Sequence, residues 1–193
     1  TSKSNTNLAN KRIYRSNTGS NTTNFQFVKQ VSLATASTTD NLNNDQLAEL
    51  IPSTFHIAPP DDDSSTYPNG QMLGLTAMAN GVFAGFSGKR LCFSEPFLPH
   101  AWPVAFRITL EEEIVGIAMA GQMLFIATKG TPYMAAGTDP QSMSVVRMEA
   151  AQACLNKESL VDMGGLAIYA SPDGLIGVSG SEITILTEGL ITP

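Results

Sequence analysis

Charge is scarce in this chain. Only 15% of its 193 residues are Asp, Glu, Lys or Arg, and the 11 basic residues are scattered among 17 acidic ones, for a formal net charge of -6. Affinity for phosphate comes mainly from clustered Lys and Arg, so this balance argues against a surface that grips nucleic acid. Cysteine is nearly absent. Cys92 and Cys154 provide no disulfide framework; one bridge between them is left open, and two buried free thiols are the expectation. The two histidines, His56 and His100, lie far apart, and neither has a ligand partner three or four residues away, which removes the usual metal spacing. No run of about eighteen apolar residues exists to span a bilayer, and the polar start TSKSNTNLANKR does not read as a signal peptide. The expectation is a soluble chain.

Glycine and short apolar runs are what the chain has instead. A unit of strand, turn, strand, turn and strand recurs about every forty residues, the length of a β-propeller blade. The first copy is GLTAMANGVFAGFSGKRLCFSEP, Gly74 to Pro96, with turns at Asn80-Gly81 and around Gly88. The second is IVGIAMAGQMLFIATKGTPYMAAG, turning at Gly121 and at Thr128-Lys129-Gly130. The third is SLVDMGGLAIYASPDGLIGVSG, turning at Gly164-Gly165 and at Ser171-Pro172-Asp173-Gly174. Asn-Gly and Asp-Gly supply the positive φ angles of tight hairpins and sit where the apolar runs break. The middle strands VFAGF, MLFIA and LAIYA are nearly all apolar, as expected for strands covered on both faces. The fold class is therefore all-β, with three propeller-like blades over residues 71–193 that do not by themselves close a propeller. A β-sandwich with look-alike hairpins is the alternative.

Ahead of the repeats, RIYRS (Arg12 to Ser16) and FQFVKQVSLA (Phe25 to Ala34) predict a hairpin across a polar loop. Residues 40–70 read as a connecting segment: DNLNNDQLAELI has N-cap candidates and the makings of a short helix or turn, and PSTFHIAPPDDDSSTYPNG carries a boundary composition. Asp61, Asp62 and Asp63 lack the alternating spacing of a calcium loop. Between the first two copies, SEPFLPHAWP is expected to be a loop anchored by Pro99, His100, Trp102 and Pro103. Glu111, Glu112 and Glu113 read as a solvated edge that discourages stray strand pairing. SVVRMEA is expected to lead into the third blade, with a helical turn in AQACLNKES.

Catalytic patterns are missing. Ser94, Glu95 and His100 are close in sequence, but prolines separate them and no nucleophile elbow is present. GGLAIYASPDG lacks the ending and spacing of a phosphate-binding loop. The turn SPDG resembles the Asp box of sialidase-like propellers in part, and an Asp box is a folding turn. No catalytic, cofactor or metal residue is assigned.

Two resemblances extend this reading. The hairpin of residues 1–39 resembles the C-terminal half of a fibronectin type III domain over about thirty residues, without the front half of such a sandwich; the expectation is that the chain is a piece of a longer polypeptide, and a hairpin added to another sheet is the alternative. The stretches KRLCFSEPFLPHAWP, GTPYMAAGTDPQSMS and IYASPDGLIGVSG, in that order, resemble tailed-bacteriophage structural proteins of the tail or nozzle, related to the tail tubular protein B group of short-tailed phages. That resemblance implies a non-enzymatic virion protein that assembles as a homo-oligomeric ring with other tail proteins. It would form part of the DNA-ejection channel, with DNA only in transit, and have no cofactor, membrane or small-molecule substrate. A carbohydrate-binding or host-surface-binding propeller is the alternative, for which one tryptophan and four tyrosines are a thin supply of sugar platforms.

Overall fold

The computed structural model describes residues 8–18, 23–53, 57–78 and 81–190. The chain divides into two compact units, Thr1–Thr54 and Phe55–Pro193. Among the described residues there is no α-helix, and the protein is all-β with four antiparallel sheets.

In the first unit, β1 (Asn10–Thr18) and β2 (Thr23–Ser32) form the expected antiparallel hairpin, with a register shift at Ile13/Tyr14. A bare two-stranded hairpin is marginal in water, and here two additions support it. Residues 48–51 run beside β2: the Ala48 amide donates to the Phe27 carbonyl at 3.0 Å and the Ile51 amide to the Phe25 carbonyl at 2.8 Å. On β1, the Arg15 guanidinium donates to the Asp40 carboxylate (2.9 Å), the Leu42 carbonyl (3.1 Å) and the Asn44 side chain (3.0 Å). Tyr14 and Phe27 meet edge to face at 5.7 Å, with the Arg12 guanidinium 4.3 Å above the Phe27 ring. The segment expected to connect modules is thus divided. Residues 40–51, including a 3-10 turn at Asn44–Gln46, pack on the hairpin, and residues 57–72 belong to the second unit.

The second unit contains three four-stranded sheets, each a simple up-and-down meander. The first comprises β3 (Leu73–Ala77), β4 (Phe83–Ser87), β5 (Arg90–Phe93) and β6 (Arg107–Thr109). The second comprises β7 (Ile114–Ala120), β8 (Met123–Thr128), β9 (Tyr133–Ala136) and β10 (Ser144–Arg147). The third comprises β11 (Val161–Asp162), β12 (Leu166–Ser171), β13 (Gly174–Ser179) and β14 (Glu182–Ile185). The repeat is therefore one strand longer than its sequence pattern. SVVRMEA does not open the third sheet as expected. Its strand β10 pairs with β9, Ser144 opposite Ala136 and Arg147 opposite Tyr133, and closes the second sheet. The Met148 amide extends that ladder by donating to the Pro132 carbonyl at 3.0 Å.

Two apolar layers hold the sheets face to face. Alternation along β8 sends Leu124 and Ile126 toward the first sheet, where they join Phe86, Leu91 and Phe93. It sends Phe125 and Ala127 toward the third, where they join Tyr169, Ile176 and Val178. Phe125 and Tyr169 stack at 5.3 Å. All four β8 residues are fully buried, which explains why MLFIA has no polar alternation. The closest approaches between sheets are made by β7, the first strand of the second sheet, which lies against β3 and β4 on one side and against β11 and β12 on the other.

Candidate functional site

The turn residues take varied roles. Gly81, Gly88, Gly121, Gly164 and Gly174 all have positive φ, from 59° at Gly88 to 128° at Gly174, so a tight reversal does require glycine at these points. Gly130 lies in the expected turn between β8 and β9, but its φ is not positive, and its place is beside the Glu112 carboxylate, which a Cβ would meet at 2.9 Å. Asn80 lies outside the described residues, as does His56. Asp173 occupies the two-residue turn between β12 and β13 and accepts a hydrogen bond from the Gln152 side chain at 3.0 Å.

One landmark repeats in all three sheets. The second strand of each ends in a buried hydroxyl residue, Ser87, Thr128 or Ser171. Ser87 donates to the Gly70 carbonyl (2.7 Å), Thr128 to the Thr131 carbonyl (2.8 Å) and Ser171 to the Gln152 side-chain oxygen (2.6 Å). Each ties a loop to the sheet at the same point. The alignment of FS, AT and AS at these positions was available in the sequence as the signal for it.

The loop after the first copy is anchored mainly by Trp102. Its ring is 1% exposed, its Nε1 donates to the Pro99 carbonyl at 2.9 Å, and its amide donates to the Ile57 carbonyl at 2.7 Å. Pro103 is buried, whereas Pro99 and His100 are exposed on the loop surface. Ser94 is wholly buried. Its hydroxyl accepts the Phe83 amide (2.9 Å) and donates to the Glu95 carbonyl (3.0 Å), so it is committed to backbone. Phe97, 76% exposed, has a φ of 59°, the one non-glycine residue with positive φ among those described.

The expected acidic edge is a knot of paired charges in the β6–β7 connection. Lys89 donates to the Glu111 carbonyl at 2.6 Å, Lys129 pairs with Glu113 at 2.7 Å, and Arg147 reaches Glu111 at 3.4 Å and the Thr131 hydroxyl at 2.9 Å. These groups are largely exposed, so each pair contributes little to stability.

Among the described residues, clefts open between sheets, two of them beside β10. One, of about 330 Å³, lies between β6 and the β9–β10 edge and is lined by Ile108, Leu110, Tyr133, Val145 and Arg147. The other, of about 610 Å³, lies between β10 and β14, with Met123, Met134, Met148, Val146 and Ile183 giving it an apolar wall. Glu111 also lines the smaller cleft and Glu149 the larger, and Arg147 borders both. Burial pushes the Cys92 thiol up to about 11 against the opposing pull of Arg107 and Arg90, and burial likewise raises Cys154. Tyr169 is raised by burial and then by Cys154, and its hydroxyl donates to the Gln152 carbonyl at 2.9 Å. The thiols are free and buried, and at neutral pH they stay protonated. Among the described residues no three His, Cys, Asp or Glu side chains come together, and no helix is long and apolar enough to cross a membrane.

No protein-family model matches the chain, and no curated protein matches its sequence. The fold and its surfaces carry what can be said of function.

Proposed function

We propose that the three four-stranded sheets are consecutive blades of a β-propeller, and that the protein is a structural subunit of a bacteriophage tail, at the nozzle or tail tube. The observation that supports this reading is the repeated stacking: three meanders of one topology, each laid on the next through an apolar layer, with β7 set against the first two strands of each neighbouring sheet. Propellers of the usual kind have four to eight such sheets, so three leave the circle open. The phage resemblance of SEPFLPHAWP, GTPYMAAGTDPQSMS and IYASPDGLIGVSG supplies the rest of the reading. In it, copies join as a ring with other tail proteins and DNA passes through without being held.

The charge is compatible with such a conduit. A net charge of -6 with scattered bases repels DNA in transit, whereas a basic channel would retain it. The role requires no cofactor and no catalytic group. Light scattering with electron microscopy of the purified protein tests it: a multi-subunit ring with a through-channel is expected. A monodisperse monomer that binds glycans on an array would overturn the tail reading in favour of a carbohydrate-binding module.

A further inference from the structure

The apolar layer between the second and third sheets is closed on one side and open on the other. It is closed where Phe125 stacks on Tyr169 at 5.3 Å. Toward the outer strands β10 and β14 it opens into the cleft of about 610 Å³. The alternation that buries Phe125 carries Met123, Met134, Val146 and Met148 onto the same face of the second sheet, and Ile183 lies across the cleft on β14. The corresponding opening between the first and second sheets, beside β6, is only about 330 Å³, and Leu110 and Tyr133 at it are buried. Val146, in the larger opening, is 61% exposed.

The β10 side of this cleft is also a sheet edge. Bonded and non-bonded positions alternate along an antiparallel strand. The Met148 amide donates to the Pro132 carbonyl, which puts Met148, Val146 and Ser144 at the bonded positions against β9. The amides and carbonyls of Val145 and Arg147 therefore face away from the sheet, and among the described residues no backbone partner meets them. Just past β10, the exposed Glu149 lines the same cleft and makes no ion pair among the described residues. The Arg147 side chain is engaged elsewhere, by Glu111 at 3.4 Å and Thr131 at 2.9 Å. The unmatched charge at the cleft is thus an acid.

We propose that the β10 edge and its cleft bind an extended, basic and apolar peptide segment of a partner protein, which joins the second sheet as an added strand. The segment's main chain bonds to Val145 and Arg147. Its apolar side chains, at alternate positions, enter the cleft against Met134, Val146 and Ile183, and a Lys or Arg reaches Glu149. Each requirement has its own source: free ladder positions select an extended backbone, the open end of an apolar layer selects alternating apolar residues, and the unpaired carboxylate selects a base. Methionine suits such a wall because its unbranched side chain repacks around differing apolar groups. The exposed Val146 makes β10 the edge in need of cover, since Ile183 on β14 is already half-buried. The chain makes the same kind of contact in its first unit, where the Ala48 and Ile51 amides donate to carbonyls of β2. This inference rests on the sheet geometry and stands or falls apart from the tail reading.

Panning a displayed library of random peptides against the full chain tests it, with the best binder then synthesised for fluorescence titration and hydrogen exchange. Enriched sequences are expected to alternate apolar and polar residues and to carry Lys or Arg. On binding, exchange at the Val145 and Arg147 amides should slow, while the Val146 amide, bonded to β9 throughout, changes little. Val146→Lys sets a charge in the cleft and should weaken binding by about tenfold or more. Glu149→Lys should also weaken it, and more at low salt than at high salt. Both positions are exposed, and circular dichroism and thermal midpoints matching the parent show that the variants fold. Enrichment of no sequence, enrichment without the alternation, or binding indifferent to Val146→Lys in the folded variant overturns the proposal. Protection at Ile183 and Ile185 in place of Val145 and Arg147 overturns it as well. Any of these results leaves the tail reading to be decided by the presence or absence of a ring.

Discussion

Met72 lies directly over Gly85, so closely that a Cβ on the glycine would come within 2.6 Å of the methionine sulfur and 2.8 Å of its Cγ. Glycine inside an otherwise apolar strand marks such close approach. Here the approach seals the outward face of the first sheet with the segment that precedes it. Gly85→Val is expected to force Met72 away and destabilise the protein by about 1–3 kcal/mol, the usual cost of overpacking a filled core. Urea denaturation measures it, and an unchanged midpoint would mean that Met72 is not held over the strand.

The turn glycines should rank in a definite order. Gly121 has a φ of 67° with open space around it, so Gly121→Ala costs only backbone strain, on the order of 1 kcal/mol. Gly174 combines a φ of 128° with a Cβ position already filled by the Thr187 hydroxyl, and Gly174→Ala should cost distinctly more. Gly130 has no positive φ, and the nearest atoms belong to the movable end of Glu112, so Gly130→Ala should be nearly neutral. Thermal unfolding of the three variants checks the ranking, and equal losses at all three sites would refute it.

That ranking shows where sequence was a sufficient guide and where it was not. The middle strands were legible because burial on both faces leaves an unbroken apolar run, as in MLFIA of β8. The hairpin turns were legible because Gly88, Gly121 and Gly174 carry conformational demands that few other residues meet. Two outer strands were hidden: Arg107–Thr109 and Glu182–Ile185 are three or four residues long and border solvent, so they show neither length nor a clear period, whereas Ser144–Arg147 was legible as a strand but not as the partner of β9. The cover over the first sheet was hidden too. Tyr67 comes from a segment whose Pro, Asp and Ser content reads as linker, Met72 follows it directly, and only tertiary contact shows that these two, with the expected loop anchor Trp102, gather over this face.

Trp102 should be the costliest single side chain to truncate in the second unit. It is the largest fully buried residue and its indole N–H is satisfied by the Pro99 carbonyl. Trp102→Ala is expected to cost about 3–5 kcal/mol through the cavity it leaves. Trp102→Phe, which keeps much of the volume but strands the carbonyl, should cost less. Chemical denaturation gives both values, and a loss under about 1 kcal/mol for the alanine variant would contradict the anchoring role.

Tyr133 points to the opposite outcome. It is 6% exposed between the first and second sheets, and its hydroxyl is buried with no hydrogen-bond partner among the described residues. An unpaired buried hydroxyl carries its desolvation cost without return. Tyr133→Phe should therefore be neutral or stabilising by up to about 1 kcal/mol. Destabilisation beyond that would show that the hydroxyl has a partner, most simply a bound water in the adjoining cleft.

The buried thiols give the protein a directional response to alkali. Cys92 is raised by burial from an ordinary value of 9.0 to about 11, so above pH 9 the unfolded chain loses a proton that the folded chain keeps. With fewer protons bound in the unfolded state, unfolding free energy falls as pH rises through this interval. The stabilisation is complete below pH 9 and is lost as pH passes about 11. Cys154 and Tyr169 are shifted in the same direction and add to the slope. Denaturation midpoints between pH 8 and pH 11 should fall steadily, and Cys92→Ala should flatten the fall. Ellman's reagent at pH 8 should label neither thiol in the folded protein and both after unfolding, because each is buried and protonated. Rapid labelling of the folded chain would place Cys92 or Cys154 at the surface and remove the basis for the pH dependence.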